Sequence, residues 1–411
     1  MLKVFEAFSG YGSQSIALRN IGVPYEVVAI SEIDKYAIKA YEAIHGKVNN
    51  LGDISKIDVE DIPDHDLFTY SFPCQDISVA GKQASLEEGS GTRSSLLWEC
   101  KKIIKNKTPK FLLMENVKNL VGRRHRDNFN KWLQYLESLG YTNYWEVLNA
   151  KDYGVPQNRE RVFVVSILGE HKPYNFPSPI KLDKAIRDIL EGEVEDKYYI
   201  NKPWHFTKDD ESKHNQWEIA KVDNIKYSVT RSIQDANKIC RCLDTMGGGQ
   251  REPKILIPQA TKKGYIEMGV PGICNLSYPN SKTRRDRVQE DGKVSPTITA
   301  SQQDICYIDK VERTPLKFLN RNGKQTGEDY CFCVDTTNTG GIKETYNTGD
   351  FRVRKLTPRE CFRLMGLNDN DIDKIQAAEI SNSQQYKMAG NSIVVDVLEG
   401  IFRELFLSNN N

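Results

Sequence analysis

The first twenty residues constrain the fold most. Leu2-Lys3-Val4-Phe5-Glu6-Ala7-Phe8 is a short apolar run of strand character. It leads through Ser9-Gly10-Tyr11-Gly12-Ser13 into a stretch with Ile16, Ala17, Leu18 and Ile21 at helical spacing. Strand, glycine turn and helix in that order predict the opening unit of an α/β sheet with a ligand cradle. The glycines let backbone approach a ligand, and the helix N-terminus offers free N–H groups. A second strand over Val27 to Ile30 ends at Glu32, about 20 residues past the glycines, where a carboxylate can accept from ribose hydroxyls. A dehydrogenase binding NAD or a tight turn with no ligand would show the same pattern. The third fingerprint glycine is replaced by Ser15, which favours a cofactor without a pyrophosphate. Further on, Asp53 in Gly52-Asp53-Ile54 either caps a turn or meets an amino group such as that of adenine, with Ile54 packing on the ring.

At 411 residues the chain has room for two or three domains. Its net charge of +1 with 27% charged residues neither demands nor excludes nucleic acid, because a local basic face is what matters. No apolar run approaches the roughly 18 residues of a membrane span. Leu2 to Phe8 enters a strand directly, so neither a span nor a signal peptide is expected. The nine cysteines are scattered, and the pairs Cys240/Cys242 and Cys331/Cys333 lack the gap and histidine partners of zinc sites. A reducing, cytoplasmic compartment follows, with neither disulfides nor metal expected.

Residues with chemical potential sit where strands end. Asp66 to Tyr70 reads as a buried strand leading into Ser71-Phe72-Pro73-Cys74-Gln75. Proline has no N–H for pairing, so Cys74 should begin a loop, as a nucleophile or as a buried structural thiol. Residues 76–95 are rich in Gly, Ser and charge, as a lid or a disordered link would be, and a helix follows from Leu96 to Lys105. The strand Phe111 to Met114 ends in Glu115-Asn116-Val117, placing an acid on the sheet edge where α/β ligands collect. Lys118, Arg123, Arg124 and Arg126 then form either a solvated face or a phosphate contact. Phe129, Trp132, Leu133, Leu136 and Leu139 have helical spacing with Gly140 as a C-cap. Ahead of the strand Val162 to Leu168, Gln157, Arg159 and Arg161 alternate toward one face, either as exposed edge charges or aimed at an acceptor-rich ligand.

From about Gly169 the helical pattern fades into short β-like runs between turns. Cys242-Leu243-Asp244-Thr245 and Cys333-Val334-Asp335-Thr336 each lead to glycines, with Pro296-Thr297-Ile298-Thr299 a looser echo, or a chance one. Ser281 to Arg287 gathers Lys282, Arg284, Arg285 and Arg287 with hydroxyl groups, types that hold phosphates and read guanine edges, although charge runs also form plain solvated faces. Order returns with a capping box of Thr357, Pro358 and Glu360. Gly390-Asn391-Ser392 is then expected to open a helix carrying Ile393, Val394, Val397, Leu398, Ile401 and Leu405 on its apolar face.

As a set, Phe8-Ser9-Gly10-Tyr11-Gly12, Glu32, Asp53, Phe72-Pro73-Cys74-Gln75, Glu115-Asn116-Val117, Gln157-x-Arg159-x-Arg161 and Gly390-Asn391-Ser392 resemble the DNA (cytosine-5)-methyltransferase family, in the family's order. Departures are small: Ser71 stands where glycine is common, and Ser94 interrupts the usual Arg-Gly after the mobile loop. The resemblance implies an α/β methyltransferase, with a Rossmann-like sheet carrying helices on both faces and a smaller β-rich target recognition domain. Its parts would be a catalytic region over 1–170, a recognition domain over 171–350 and a return segment over 351–411. The implied activity is methyl transfer from S-adenosylmethionine, leaving S-adenosylhomocysteine, to carbon 5 of a cytosine flipped out of double-stranded DNA at a specific sequence. Cys74 would attack carbon 6, Glu115 would hold N3 and the exocyclic amine, and Arg161 with Arg159 would contact O2. The cofactor would lie along Phe8, Gly10, Tyr11, Gly12 and Ser13, with Glu32 on its ribose and Ile33, Asp53 and Ile54 at the adenine. Pro73, Leu96, Asn391 and Ser392 would complete that site. On DNA, Gln75 and Ser78 belong to the closing loop, while Lys282, Arg284, Arg285, Arg287, Thr297 and Thr299 are the insert's candidates. A bacterial or phage-infected cytoplasm, a monomer and a companion restriction endonuclease fit this class. The family's offshoot that modifies tRNA carries a Cys-Phe-Thr signature absent here. A dehydrogenase would leave Cys74-Gln75, Glu115-Asn116 and the arginine pair unexplained.

Overall fold

The apolar N-terminal run forms β1 (Leu2–Ala7), and Gly12, in the left-handed region at φ 84°, starts α1 (Ser13–Asn20). The computed structural model describes residues 1–73, 96–199 and 351–408. Between 200 and 350 it describes the segments 204–206, 218–222, 232–234, 238–243, 254–258, 272–275 and 305–308. After α1 come β2 (Tyr25–Ser31), α2 (Lys35–His45), β3 (Leu67–Tyr70), α3 (Leu97–Lys107), β4 (Phe111–Val117), α4 (Arg126–Ser138), β5 (Tyr141–Asn149), the two-residue β6 (Gln157–Asn158) and β7 (Glu160–Leu168).

The main sheet has the order β2-β1-β3-β4-β7-β5. Strands β2, β1, β3 and β4 are mutually parallel, whereas β7 runs antiparallel to both β4 and β5. Because strand side chains alternate, each strand feeds two cores. Val4, Leu67, Leu113 and Phe163 face the layer of α1, α2 and the C-terminal helices. Phe5, Phe68, Leu112 and Val164 face α3 and α4, where Trp132 is fully buried and donates its indole N–H to the Tyr70 hydroxyl at 3.2 Å. The expected α/β sheet with helices on both faces is thus present.

A second sheet has the order β15-β12-β10-β9-β8. It joins β8 (Trp204–Phe206), β9 (Glu218–Val222), β10 (Ser232–Gln234), β12 (Lys254–Pro258) and β15 (Phe351–Lys355). β11 (Cys240–Arg241) pairs in parallel with β6, and β13 (Gly272–Asn275) pairs with β14 (Ile305–Ile308). This is the β-rich insert. Its leading segment packs on the first core through Tyr174, Ile186 and Ile189, and β15 belongs to its sheet.

The return segment contains α5 (Pro358–Arg363), α6 (Asp369–Ala377), α7 (Asn382–Asn391) and α8 (Val395–Phe406). Thr357 and Glu360 form the expected capping box. Glu360 also holds the buried Arg354 in a bidentate pair at 2.7 and 2.8 Å, tying β15 to α5. Gly390-Asn391-Ser392 ends α7 instead of opening a helix, and α8 begins at Val395. Ser392 is extended, and its hydroxyl donates to Ala389 O at 3.0 Å and receives Tyr11's, so it is not free to cap α8. The edge strand β5 and the helices α6 and α7 were not anticipated from the sequence.

Candidate active site

The cradle forms where β1 ends. Phe8 adopts φ 55°, a conformation that non-glycine residues seldom take and that concentrates at functional sites. Gly10, at φ 58°, has open space where a side chain would stand. At Gly12, by contrast, a Cβ would lie 2.5 Å from His45 Nε2 and 2.7 Å from the Tyr41 ring. The glycine turn is therefore open on one side and packed on the other. Tyr11 and Ser13 are buried, and Tyr11 donates to the Ser392 hydroxyl at 2.6 Å, joining the cradle to the return segment. Burial pushes the Tyr11 phenol up to about 12.

Glu32, after β2, turns its carboxylate back onto this loop. It accepts from Gly10 N at 3.0 Å and from Ile33 N and Asp34 N at 2.8 Å. Ile33 is 74% exposed, a large apolar side chain left uncovered beside the cradle. Asp53 caps a short 3-10 turn, accepting from Ser55 N at 3.1 Å and Ser55 Oγ at 2.8 Å. Those bonds hold its carboxyl below the usual carboxylate range. Ile54 is buried in the core beneath α3. Pro73 and Leu96 are half-buried and flank residues 74–95, while Asn391 is exposed and Ser392 partly so.

Glu115 occupies the carboxyl end of β4. Its side chain lies 3.2 Å from Arg161 Nε. Burial pushes the Glu115 carboxyl up, partly offset by Arg161, Arg159 and the Ser71 hydroxyl. Ser71, noted in the sequence only as a departure from glycine, is thus a hydrogen-bonding neighbour of this acid. Asn116 donates to Phe72 O at 3.0 Å and fastens the chain just before Pro73. Lys118 is paired with Glu160 at 2.8 Å, whereas Arg123 and Arg124 are exposed.

The arginines reach this edge because β7 is antiparallel: Arg161 sits opposite Val117, at the end of β4. Gln157 and Arg159 are buried, and their acceptors belong to the protein itself. Gln157 donates to Leu364 O at 2.6 Å and accepts from Leu243 N at 3.1 Å. Arg159 donates to Leu243 O at 2.9 Å, Gly390 O at 3.0 Å and Ser392 O at 2.7 Å. One guanidinium thereby joins the insert and the return segment to the main sheet. Arg161 shares the Cys242 sulfur with it. Cys242 was absent from the residues singled out for chemistry in the sequence.

Cys74, Gln75, Ser78, Lys282, Arg284, Arg285, Arg287, Thr297 and Thr299, and with them the 76–95 loop, lie outside the described residues. Among the described residues no group of three or more His, Cys, Asp or Glu side chains is placed to hold a metal, and no helix is long and apolar enough to cross a membrane.

The model of the C-5 cytosine-specific DNA methylases matches residues 2–407. The chain belongs to that family. It is a DNA (cytosine-5)-methyltransferase, and the family is S-adenosylmethionine-dependent. It is 37% identical to the type II methyltransferase M2.ScrFI of Lactococcus lactis subsp. cremoris, over 99% of this chain and 100% of that protein. It is 34% identical to the orphan methyltransferase M.SPRI of Bacillus phage SPR, over 98% and 97%, and 40% identical to the type II methyltransferase M.SsoII of Shigella sonnei, over 98% and 79%. Solved structures also share the fold, among them the Dnmt2 methyltransferase of S. pombe (TM-score 0.60, 18% identity, 100% of both chains) and the methyltransferase EhMeth of Entamoeba histolytica (TM-score 0.63, 15% identity, 100% of this chain and 99% of that one).

Proposed function

We propose that this methyltransferase acts on a cytosine flipped out of double-stranded DNA at a specific short sequence, through a covalent bond between Cys74 and carbon 6 of the base. The observation that carries the reading is the Glu115 carboxyl at the end of β4. It faces Arg161, with the neighbouring Asn116 holding the strand that leads through Pro73 to Cys74.

Carbon 5 of cytosine is a poor nucleophile. Addition of the Cys74 thiolate to carbon 6 pushes electrons toward carbon 5 and makes it reactive. Glu115, whose burial favours its protonated form, holds a proton toward N3 and accepts from the exocyclic amine as charge builds on the ring. We assign Arg161 to O2. Arg159, with both terminal nitrogens on carbonyls of residues 243, 390 and 392, we assign to positioning the site. Loss of the carbon 5 proton to a base then expels Cys74 and restores the ring. S-adenosylmethionine, when bound, supplies the electrophilic methyl group.

The cradle's chemistry fits that cofactor. Phe8, Gly10, Tyr11, Gly12 and Ser13 would hold it where Gly10 leaves open space. Glu32 keeps one acceptor site, on the oxygen that receives Gly10 N, for a ribose hydroxyl. We assign Ile33 and Asp53 to the adenine, since the Ile54 side chain is committed to the core. Pro73, Leu96, Asn391 and Ser392 would close the rim. The segments that build the site belong to one polypeptide, which favours action as a monomer, and the bacterial and phage relatives favour the cytoplasm. The target recognition domain would occupy 171–350, with the 76–95 loop closing over the flipped base. The type II names of two relatives favour a companion endonuclease.

The test is single-base mapping of 5-methylcytosine in a methylation-free bacterial host expressing the protein, beside a Cys74→Ala control. Methylation confined to one short motif and lost in the control is expected. Retained methylation in the control would refute the covalent role of Cys74.

A further inference from the structure

Segment 238–243 leaves the insert to dock on the main domain. Cys240 N donates to Pro156 O at 2.7 Å, β11 pairs with β6, and Leu243 N donates to the Gln157 side chain. This docking sets the Cys242 sulfur between two guanidinium groups, 3.5 Å from Arg159 Nη1 and 3.9 Å from Arg161 Nη2. The sulfur has Leu243 O at 3.4 Å as well. The methylation chemistry assigned above gives it no part.

What the sulfur touches suggests its use. Arg161 points Nε at Glu115, gives Nη1 to Glu160 O at 2.8 Å and turns Nη2 to Cys242. Two neighbouring cations repel, and in a site removed from water that repulsion is poorly screened. A polarisable sulfur between them is an acceptor that a small apolar residue could not replace. The contrast with Cys240, two residues earlier, is informative. Burial pushes the Cys240 thiol up to about 12, whereas at Cys242 the two guanidinium groups outweigh burial and hold the thiol below its ordinary value.

We propose that Cys242 is a positioning residue for methyl transfer. Its sulfur is the acceptor by which the docked insert keeps Arg161 turned toward Glu115, so that seating of the recognition region and geometry of the base-binding acid are coupled. This rests on the assignment of Glu115 and Arg161 to the cytosine.

The experiment uses the full chain as wild type, Cys242→Ser, Cys242→Ala and Glu115→Gln. Single-turnover methylation is measured with excess enzyme, plasmid DNA from a methylation-free host and labelled S-adenosylmethionine. Affinities for that DNA and for S-adenosylhomocysteine are determined separately, and melting temperatures are recorded. Removing an acceptor from a charged donor should slow the transfer step of Cys242→Ala about tenfold, with both affinities within about twofold of wild type. Cys242→Ser, which keeps an acceptor, should recover to within about threefold. A Cys242→Ala rate equal to wild type, with Glu115→Gln inactive, would overturn the proposal alone. Equal slowing of the Ser and Ala variants, tracking lowered melting temperatures, would also overturn it by making the residue merely structural. A fully active Glu115→Gln would instead overturn the underlying reading of the site, and the proposal with it.

Discussion

Glu6 offers a sharp test of how the cradle is supported. It lies next to the last residue of β1, fully buried, and accepts from the Ser15 hydroxyl at 2.8 Å, with Tyr41 beside it. Burial raises its pKa from 4.5 to about 7, despite the opposing hydrogen bond from Ser15. The sign follows from proton counting. Below pH 4.5 the folded and unfolded chains both hold the proton. Between 4.5 and about 7 the unfolded chain releases it while the folded chain keeps it, so stability falls as pH rises. Above about 7 the loss is complete. At about 1.4 kcal/mol per unit, it amounts to about 3 kcal/mol. Glu6→Gln keeps an acceptor for Ser15 and removes the titration. Its stability relative to wild type should therefore rise by about 3 kcal/mol between roughly pH 4 and pH 8. Urea unfolding of both chains, followed by circular dichroism across that range, measures this difference. His45, held down to about 4 by burial, titrates in both chains and cancels in the comparison. A difference between the two chains that stays constant with pH would refute the reasoning.

Two further substitutions probe other joints. Gly12→Ala combines a left-handed backbone with a Cβ pressed against His45 and Tyr41, and His45 Nε2 lies 3.1 Å from Tyr11 O in the same loop. Calorimetric titration should show S-adenosylhomocysteine affinity falling at least about tenfold, the equivalent of about 1.4 kcal/mol of strain released on the loop; unchanged affinity would place the cofactor elsewhere. Arg354→Met leaves Glu360 buried without its cation and should cost about 3–5 kcal/mol in thermal unfolding, mostly from the stranded carboxylate. A loss below about 1 kcal/mol would show that the backbone donors Thr357 N and Glu191 N suffice for that carboxylate.

The features legible in the sequence were those written in local pattern. β1, its glycine turn and α1 follow from a run of neighbouring residues, as does the capping box at Thr357. β5 escaped because it is an edge strand with only Tyr141 and Leu148 buried, and its exposed positions mix Thr142 and Glu146 with Trp145, so Tyr141 to Asn149 shows neither an apolar run nor a clean alternation. α7 escaped because its buried face mixes Tyr386 and Met388 with Gln385, Ala389 and Gly390, which carry little hydrophobic signal, and its N-cap Ser381 makes no capping bond to the backbone. The motif residues of the site were readable as types, but their acceptors were not. Arg159 read as a donor aimed at a ligand, whereas its carbonyls come from residues 243, 390 and 392. Asp53 showed both of its local readings, and the capping role is the one its hydrogen bonds display. No single-sequence pattern encodes pairings across such separations, which is why Cys242 and the Ser71 contact with Glu115 emerge only from the fold.

The antiparallel strand explains why the arginines serve this edge at all. In a sheet of parallel strands, ligand groups gather at the carboxyl ends, and residues at the start of a strand face the opposite rim. β7 spans nine residues, so reversing it in place would exchange Arg161 with Ile167, roughly 20 Å along the strand and opposite Phe111 at the other end of β4. Running β7 against β4 places strand-opening cations beside a strand-closing acid. The same reversal brings Gln157 and Arg159 just outside the sheet, where they meet segment 240–243 from the insert and residues 390–392 from the far end of the chain. The two terminal nitrogens of Arg159 find their carbonyls only when both have arrived, since either left without one would be a buried, unpaired group. Glu115, the insert and the return segment are therefore brought together around the Arg159 and Arg161 guanidinium groups. An insert can vary in its outer strands while keeping 240–243 in register, but a change at that contact reaches Glu115 through only two side chains.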